Sequence, residues 1–146
     1  LRHTSPEIAL NFKRTTIYEN DILMSIRATV GTTALVPKIL EGSNLSRGIA
    51  LISPGDKVTS EYLLYFLRSS KTQNWIKRQV KGATFREITL KRLRELPVVI
   101  PPISIQREFS KNVKKYNELL TTVLNYKNLL NGFYQSLEFN LINSSK

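Results

Sequence analysis

The feature that most constrains this chain lies after Pro102. From Ser104 to about Phe139 there is no proline and a single glycine, Gly132. Within that run Phe109, Val113, Tyr116, Leu120, Val123, Leu130, Tyr134 and Leu137 fall on alternating steps of four and three, broken only at Lys127. Such steps keep side chains on one stripe of an α-helix, so the pattern predicts a heptad-like seam. At about 1.5 Å per residue the helix runs on the order of 50 Å. It cannot cover its own seam. Burying a large apolar side chain is worth about 1.5–3 kcal/mol, so the stripe calls for a second surface. That surface is a coiled-coil partner from outside, or the helix folds back on its own globular part. Lys127, a lone polar residue in the seam, is the kind that sets register.

Ahead of this helix the periodicity is mixed and the segments are short. Strands are predicted at about Ile22–Thr29 and Thr33–Val36, the second stopped by Pro37. "RGIALISPG" reads as a third strand, apolar on both faces and therefore buried. Two helices follow. Thr59 or Ser60 can cap the first, whose stripe is Tyr62, Leu63, Phe66 and Leu67. Thr72 can cap the second, where Ile76 and Val80 lie four apart and Gly82 offers a left-handed stop. Leu90, Leu93 and Leu96 suggest a short helical turn, and "PVVIPP" a brief strand. The whole is an α+β chain. A mixed, β-rich unit with short helices spans residues 1–102, and a long C-terminal coiled-coil helix with its tail spans residues 103–146.

The first strand poses a question. In "SIRATVG", alternation puts Ile22, Met24 and Ile26 on one face and Ser25, Arg27 and Thr29 on the other. One face is built for a core and the other for water or a polar partner.

Charge narrows the partner. Twenty-two Lys and Arg against eleven Asp and Glu give +11 and a pI near 10.1. A surplus of that size points to a polyanion, nucleic acid before an anionic membrane surface. It is also concentrated. Arg68, Lys71, Lys77, Arg78, Lys81, Arg86, Lys91, Arg92 and Arg94 stand within one stretch whose single acid is Glu87. Such a patch favours phosphate contacts without specifying a sequence.

Several chemistries are missing. The one histidine, His3, supports neither a His-based triad nor a two-histidine metal site. There is no GxxxxGK[ST] or GxGxxG phosphate loop. The only aspartates, Asp21 and Asp56, sit beside turn residues, and a nuclease needs clustered carboxylates for its metal ions. The residues before and after Pro101-Pro102 do not form an amino-methyltransferase signature. No cysteine is present, so disulfides, thiolate metal sites and cysteine nucleophiles are excluded. No apolar run approaches the roughly 20 residues a bilayer requires, and no signal peptide is expected. A cytoplasmic protein that binds rather than transforms is the expectation.

Four stretches in this order, "DILMSIRATVG" (Asp21–Gly31), "NLSRGIALISP" (Asn44–Pro54), "GATFREITLKRLRELPVVIPP" (Gly82–Pro102) and the long helix after "PPISIQREF", resemble the target recognition domain of a type I restriction-modification specificity (S) subunit. "SEYLLYFLRS" and "TQNWIK" look like that family's paired helices. The resemblance covers roughly Asn20 to Leu137. It implies a non-catalytic subunit that reads one half of a split duplex DNA site and uses its long helix as a spacer. It further implies modification subunits that bind S-adenosylmethionine and methylate adenine, and restriction subunits driven by ATP. S-adenosylmethionine, ATP and Mg²⁺ would then belong to those partners and not to this chain. Only one set of motifs is present, and few residues precede the first. Residues 1–102 are therefore expected to be a single, N-terminally incomplete recognition domain, at most half of a complete subunit. The helix over 103–146 would pair with a second copy or another half-subunit. An antiparallel pair would set two recognition domains at opposite ends.

The candidate DNA contacts follow. Arg27 and Thr29 lie on the polar face of the first strand. Asn44, Ser46 and Arg47 occupy the loop before the third. Thr84 and Arg86 sit in the glycine-led loop. Arginine on guanine and asparagine on adenine are the usual direct readers. Arg27 and Arg47 have an equally physical alternative, holding loops together through carbonyls or through a carboxylate such as Glu87. Lys77, Arg78, Lys81, Arg86, Lys91 and Arg92 are the candidate phosphate contacts. The competing functional reading is a sequence-independent nucleic-acid-binding module with an oligomerising helix.

Overall fold

The structure, a computed structural model, describes residues 13–82 and 86–144. His3 and Thr84 lie outside the described residues. The chain divides into two compact units that meet at Arg107–Glu108.

The first unit is built on a three-stranded antiparallel sheet of β1 (Ile22–Ser25), β2 (Thr33–Leu35) and β3 (Ile49–Ile52), in the order β2-β1-β3. Register is Met24 opposite Thr33 on one side and opposite Ala50 on the other. Ile22 and Met24 are completely buried on one face of β1, as alternation requires. They pack with Ala50, Leu63, Leu64, Leu67, Ile76, Ile88 and Leu93 into one core.

Strand β1 is shorter than its sequence suggests. It ends at Ser25 because the chain turns sharply there. The N–H of Gly31 donates to the Ser25 carbonyl at 2.9 Å, and the Ser25 hydroxyl donates to the Arg27 carbonyl at 2.7 Å. Ala28 takes a positive φ of 56° and Gly31 one of 91°. An extended run through Thr29 is incompatible with those angles. Strand β3 also departs from expectation, since only Ala50 is buried while Ile49, Leu51 and Ile52 stay partly exposed. The physical reason is its place at an edge of the sheet, where no further strand among the described residues pairs with it. The expected strand in "PVVIPP" is absent. Its three prolines remove half of the segment's backbone donors, and it joins no ladder, while the Tyr62 hydroxyl donates to the Val99 carbonyl at 2.8 Å.

Helix α1 (Ser60–Arg68) is capped by Thr59, whose hydroxyl accepts from the Tyr62 N–H at 3.3 Å. Leu63, Leu64 and Leu67 are its buried residues. Tyr62 and Phe66 are only half-buried, with ring centroids 6.3 Å apart. Helix α2 (Ser70–Gln79) starts one turn earlier than Thr72 would set it. Ser69 is the cap, and Thr72 is buried against it. The helix closes at Val80, two residues before Gly82 with its φ of 90°. Helix α3 (Leu90–Leu93) is a single turn capped by Thr89.

Helix α4 (Ile103–Ser144) forms the bulk of the second unit and begins in the first. The seam residues Phe109, Tyr116, Leu120, Val123, Leu130, Tyr134 and Leu137 are exposed along it, and Val113 is half-buried. Leu119, Tyr126 and Phe133 are exposed as well and recur every seven residues. They form a second apolar line beside Tyr116, Val123 and Leu130. Lys127 lies outside the seam those two lines make, so the apolar face is both wider and less interrupted than the single stripe implied.

Candidate nucleic-acid interface

Three of the candidate DNA contacts, Arg27, Lys81 and Arg86, meet on one irregular ladder beyond the end of β1. Backbone bonds run from the Ala28 N–H to the Arg86 carbonyl (3.1 Å) and from the Ile88 N–H to the Ile26 carbonyl (3.0 Å). Lys81 and Glu87 exchange a pair of backbone bonds at 3.0 and 3.1 Å. Residues distant in sequence, Arg27, Lys81 and Arg86, thereby become backbone neighbours on a short extension of the sheet. Glycine matters on the other side of Arg27. Gly48 holds φ at +92°, and a Cβ there would lie 3.5 Å from the Arg27 side chain. The Gly48 carbonyl accepts from the Ile26 N–H at 2.8 Å. The loop of Asn44, Ser46 and Arg47 is thus seated against Arg27.

Arg27 itself is engaged. Its Nε donates to Glu87 Oε2 at 3.1 Å, with the two side chains 62% and 47% exposed. A pair so open to water contributes little to stability, but it orients the guanidinium across the ladder. Asn44 is engaged too. Its amide donates to the Thr15 and Thr16 hydroxyls at 3.3 and 3.5 Å, beside an isolated bridge between Thr16 and Asn44. Thr29 donates to the Ser25 hydroxyl at a long 3.5 Å within the turn. Ser46 and Arg47 are exposed.

The basic residues divide in the same way. Arg92 pairs with Glu95 at 2.7 Å on α3. Lys77, Arg78, Lys81, Arg86 and Lys91 are exposed and have no carboxylate partner among the described residues. Lys77 and Arg78 occupy the last turn of α2, where cations also complement the helix dipole. Four successive segments therefore present uncompensated positive charge: the end of α2, Lys81, Arg86, and the start of α3. That is an electrostatic footprint for a phosphate backbone. Among the described residues no three His, Asp or Glu side chains are grouped to hold a metal ion, and no helix is long and apolar enough to cross a membrane.

A family model described as the type I restriction modification DNA specificity domain matches residues 3–130. The chain belongs to that family. The EcoBI specificity subunit of Escherichia coli is 32% identical over 116 residues, covering 79% of this chain and 24% of that protein. The putative MjaX specificity subunit of Methanocaldococcus jannaschii is 29% identical over 123 residues, 81% of this chain and 27% of that one. In structure, the HsdS subunit from Thermoanaerobacter tengcongensis matches with a TM-score of 0.64 at 22% identity, over 74% of this chain and 28% of that chain. A chain from work on assembly and conformational transition of the type I R-M system matches with a TM-score of 0.59 at 26% identity, over 75% and 26%. The chain thus spans about a quarter of the length of these relatives. The α+β architecture with its long C-terminal helix matches the fold of the solved HsdS subunit.

Three side chains that organise this specificity domain carry no periodic signal in the sequence. The Arg68 guanidinium donates to the Thr33 hydroxyl and carbonyl at 3.2 and 2.9 Å, tying α1 to β2. Arg68 thus leaves the basic run and becomes structural. Gln73 donates to the Gly31 carbonyl at 3.0 Å and to the Leu67 carbonyl at 2.7 Å. Gln106, in the first turn of α4 and completely buried, satisfies backbone groups of Lys57, Thr59 and Pro101. Hydrophobic periodicity cannot mark a buried amide, because its burial depends on partners brought in by the fold.

Proposed function

We propose that this chain reads duplex DNA sequence-specifically as the target-recognition part of a type I specificity subunit. The observation that carries the proposal is the ladder joining Arg27, Lys81 and Arg86. Its backbone bonds bring Lys81 and Arg86 next to Arg27, whose neighbour Ile26 is bonded to Gly48 at the end of the Ser46–Arg47 loop, and this supports the reading in a domain of this family. Lys77, Arg78, Lys81, Arg86, Lys91 and Arg92 contact phosphates in this reading, and Thr84 stays a candidate contact on the sequence alone. Thr29, Ser46 and Arg47 reach base edges. Arg27 and Asn44 act as positioning residues, held by Glu87 and by the Thr15–Thr16 segment.

The subunit is non-catalytic in this reading, with modification and restriction subunits as its partners. S-adenosylmethionine, ATP and Mg²⁺ are theirs to bind. Helix α4 pairs with the equivalent helix of a second copy or of another half-subunit. An antiparallel pair relates two recognition domains by a two-fold axis and suits a split palindromic target. The breadth of its apolar face, with Leu119, Tyr126 and Phe133 beside the expected seam, supports helical packing over a wide contact. A DNA ligand fits a cytoplasmic site of action.

The test is reconstitution. With a modification subunit and S-adenosylmethionine, the chain is expected to direct methyl transfer to adenine at one recurring sequence. Alone, it is expected to transfer none. Methyl transfer by the isolated chain, or equal methylation at unrelated sites in the complex, contradicts the reading.

A further inference from the structure

The turn between β1 and β2, residues 26–32, is held at three points while Arg27, Ala28 and Thr29 at its tip stay exposed. The Ile26 N–H donates to the Gly48 carbonyl at 2.8 Å, and the Ala28 N–H to the Arg86 carbonyl at 3.1 Å. The third hold comes from Gln73, near the start of α2. Its side-chain nitrogen has two hydrogens to give. One goes to the Leu67 carbonyl at 2.7 Å and the other to the Gly31 carbonyl at 3.0 Å. The Leu67 carbonyl belongs to the last turn of α1, whose carbonyls helix geometry leaves without intrahelical partners. The amide therefore joins the end of α1 to the buried base of the turn, two residues from Thr29. Arg68 holds Thr33 just beyond it. Within the turn, Ala28 keeps a φ of 56°. A left-handed angle at a residue with a Cβ is costly and persists where the surroundings fix it.

We propose that Gln73 is a positioning residue for sequence readout, one that fixes the shape of this turn before DNA arrives and acts on specificity through Gly31. The inference rests on the DNA-reading assignment made above. Base edges are read by groups held to a fraction of an ångström, and rigid supporting contacts supply that precision. A turn that had to be ordered on binding would lose affinity by the cost of that ordering. The loss falls on the complex in which Thr29 meets a base. It does not fall on phosphate contacts, which carry no sequence information and come from residues outside the turn. Lys77 stands four residues after Gln73, on the same side of α2. The helix that meets the phosphate backbone thus also carries the anchor of the turn that meets the bases.

The experiment compares the full chain with Gln73→Met, which keeps the length of the side chain and removes both donors. Two labelled duplexes are followed by anisotropy at ~150 mM salt: one enriched from a randomised pool by the unaltered chain, and its scrambled counterpart. Gln73→Met is expected to bind the enriched duplex about tenfold more weakly, and the scrambled one as before with the same salt slope. A merely structural role would leave the ratio of the two affinities in place. A ratio kept in full by Gln73→Met, including equal weakening on both duplexes, overturns this inference alone. An unaltered chain that prefers neither duplex overturns the DNA-reading assignment and this inference with it. Amide exchange followed by NMR on the unaltered chain needs no variant. The Ala28 and Gly31 N–H groups are expected to be protected before any DNA is added. Exchange of both at the rate of an unstructured peptide, with protection only after the enriched duplex is added, overturns the inference as well.

Discussion

The side-chain oxygen of Gln106 accepts a hydrogen bond from the backbone N–H of Thr59 at 2.8 Å, across 47 residues of sequence. Its amide nitrogen donates to the Lys57 and Pro101 carbonyls at 2.9 and 2.8 Å. One buried amide thus joins the residue that caps α1, the turn before it and the proline pair that launches α4. Gln106→Leu leaves three backbone groups without that partner. A loss of about 2–4 kcal/mol is expected, read as a lower midpoint in urea unfolding. Gln106→Glu replaces the donor with an acceptor that faces two carbonyls, and is expected to cost at least as much. Unchanged midpoints would remove Gln106 from the account of how α4 is anchored.

Gly31 answers the question raised by "SIRATVG". It combines a φ of +91° with a site where a Cβ would lie 2.7 Å from Gln73 Oε1. Gly31→Ala is therefore expected to cost about 1–3 kcal/mol, through backbone strain and displacement of Gln73. Gly42 also has a positive φ, 80°, but nothing lies within 4 Å of an added Cβ. Gly42→Ala is the control, expected to cost less. Equal losses in thermal unfolding would mean that Gln73 yields freely.

Replacing Lys77, Arg78 and Lys81 together with alanine is expected to weaken DNA binding about equally on all sequences. The slope of log K against log salt should fall by up to ~3 units. A salt slope that does not change would show these three residues facing away from DNA.

Helix α4 is expected to keep the chain from being monomeric at micromolar concentration. Val123 lies on the expected seam and also between Leu119 and Tyr126 in the wider face, so Val123→Asp should shift the mass toward monomer in sedimentation equilibrium. A clean monomer for the unaltered chain, with no response to Val123→Asp, would deprive the spacer role of its physical basis.

How legible was this in the sequence? The core face of β1 was readable at Ile22 and Met24, because strand alternation is a local signal. The long helix was readable for the same reason, since steps of three and four need no tertiary information. The wide face was within reach too. Leu119, Tyr126 and Phe133 repeat every seven residues, but a search for one seam passes over them. The turn after Ser25 was not readable, because Ala28 is an unexpected residue at positive φ and its angle depends on Arg86 across the ladder. The roles of Arg27 and Asn44 depended on Glu87 and on Thr15–Thr16, partners that only folding brings close. Composition correctly put charge near α2 and α3, yet could not separate Arg68, bonded to Thr33, from Lys77 and Lys81.

The most direct measurement of the central claim is selection from a pool of randomised duplexes by the purified chain at ~150 mM salt, followed by affinities for the selected duplex and its scrambled counterpart. The account predicts enrichment of one short motif, bound ~10³-fold or more tightly than the scramble. Enrichment of nothing, with both duplexes bound equally, would contradict sequence-specific recognition and leave a basic module that binds nucleic acid through phosphates alone.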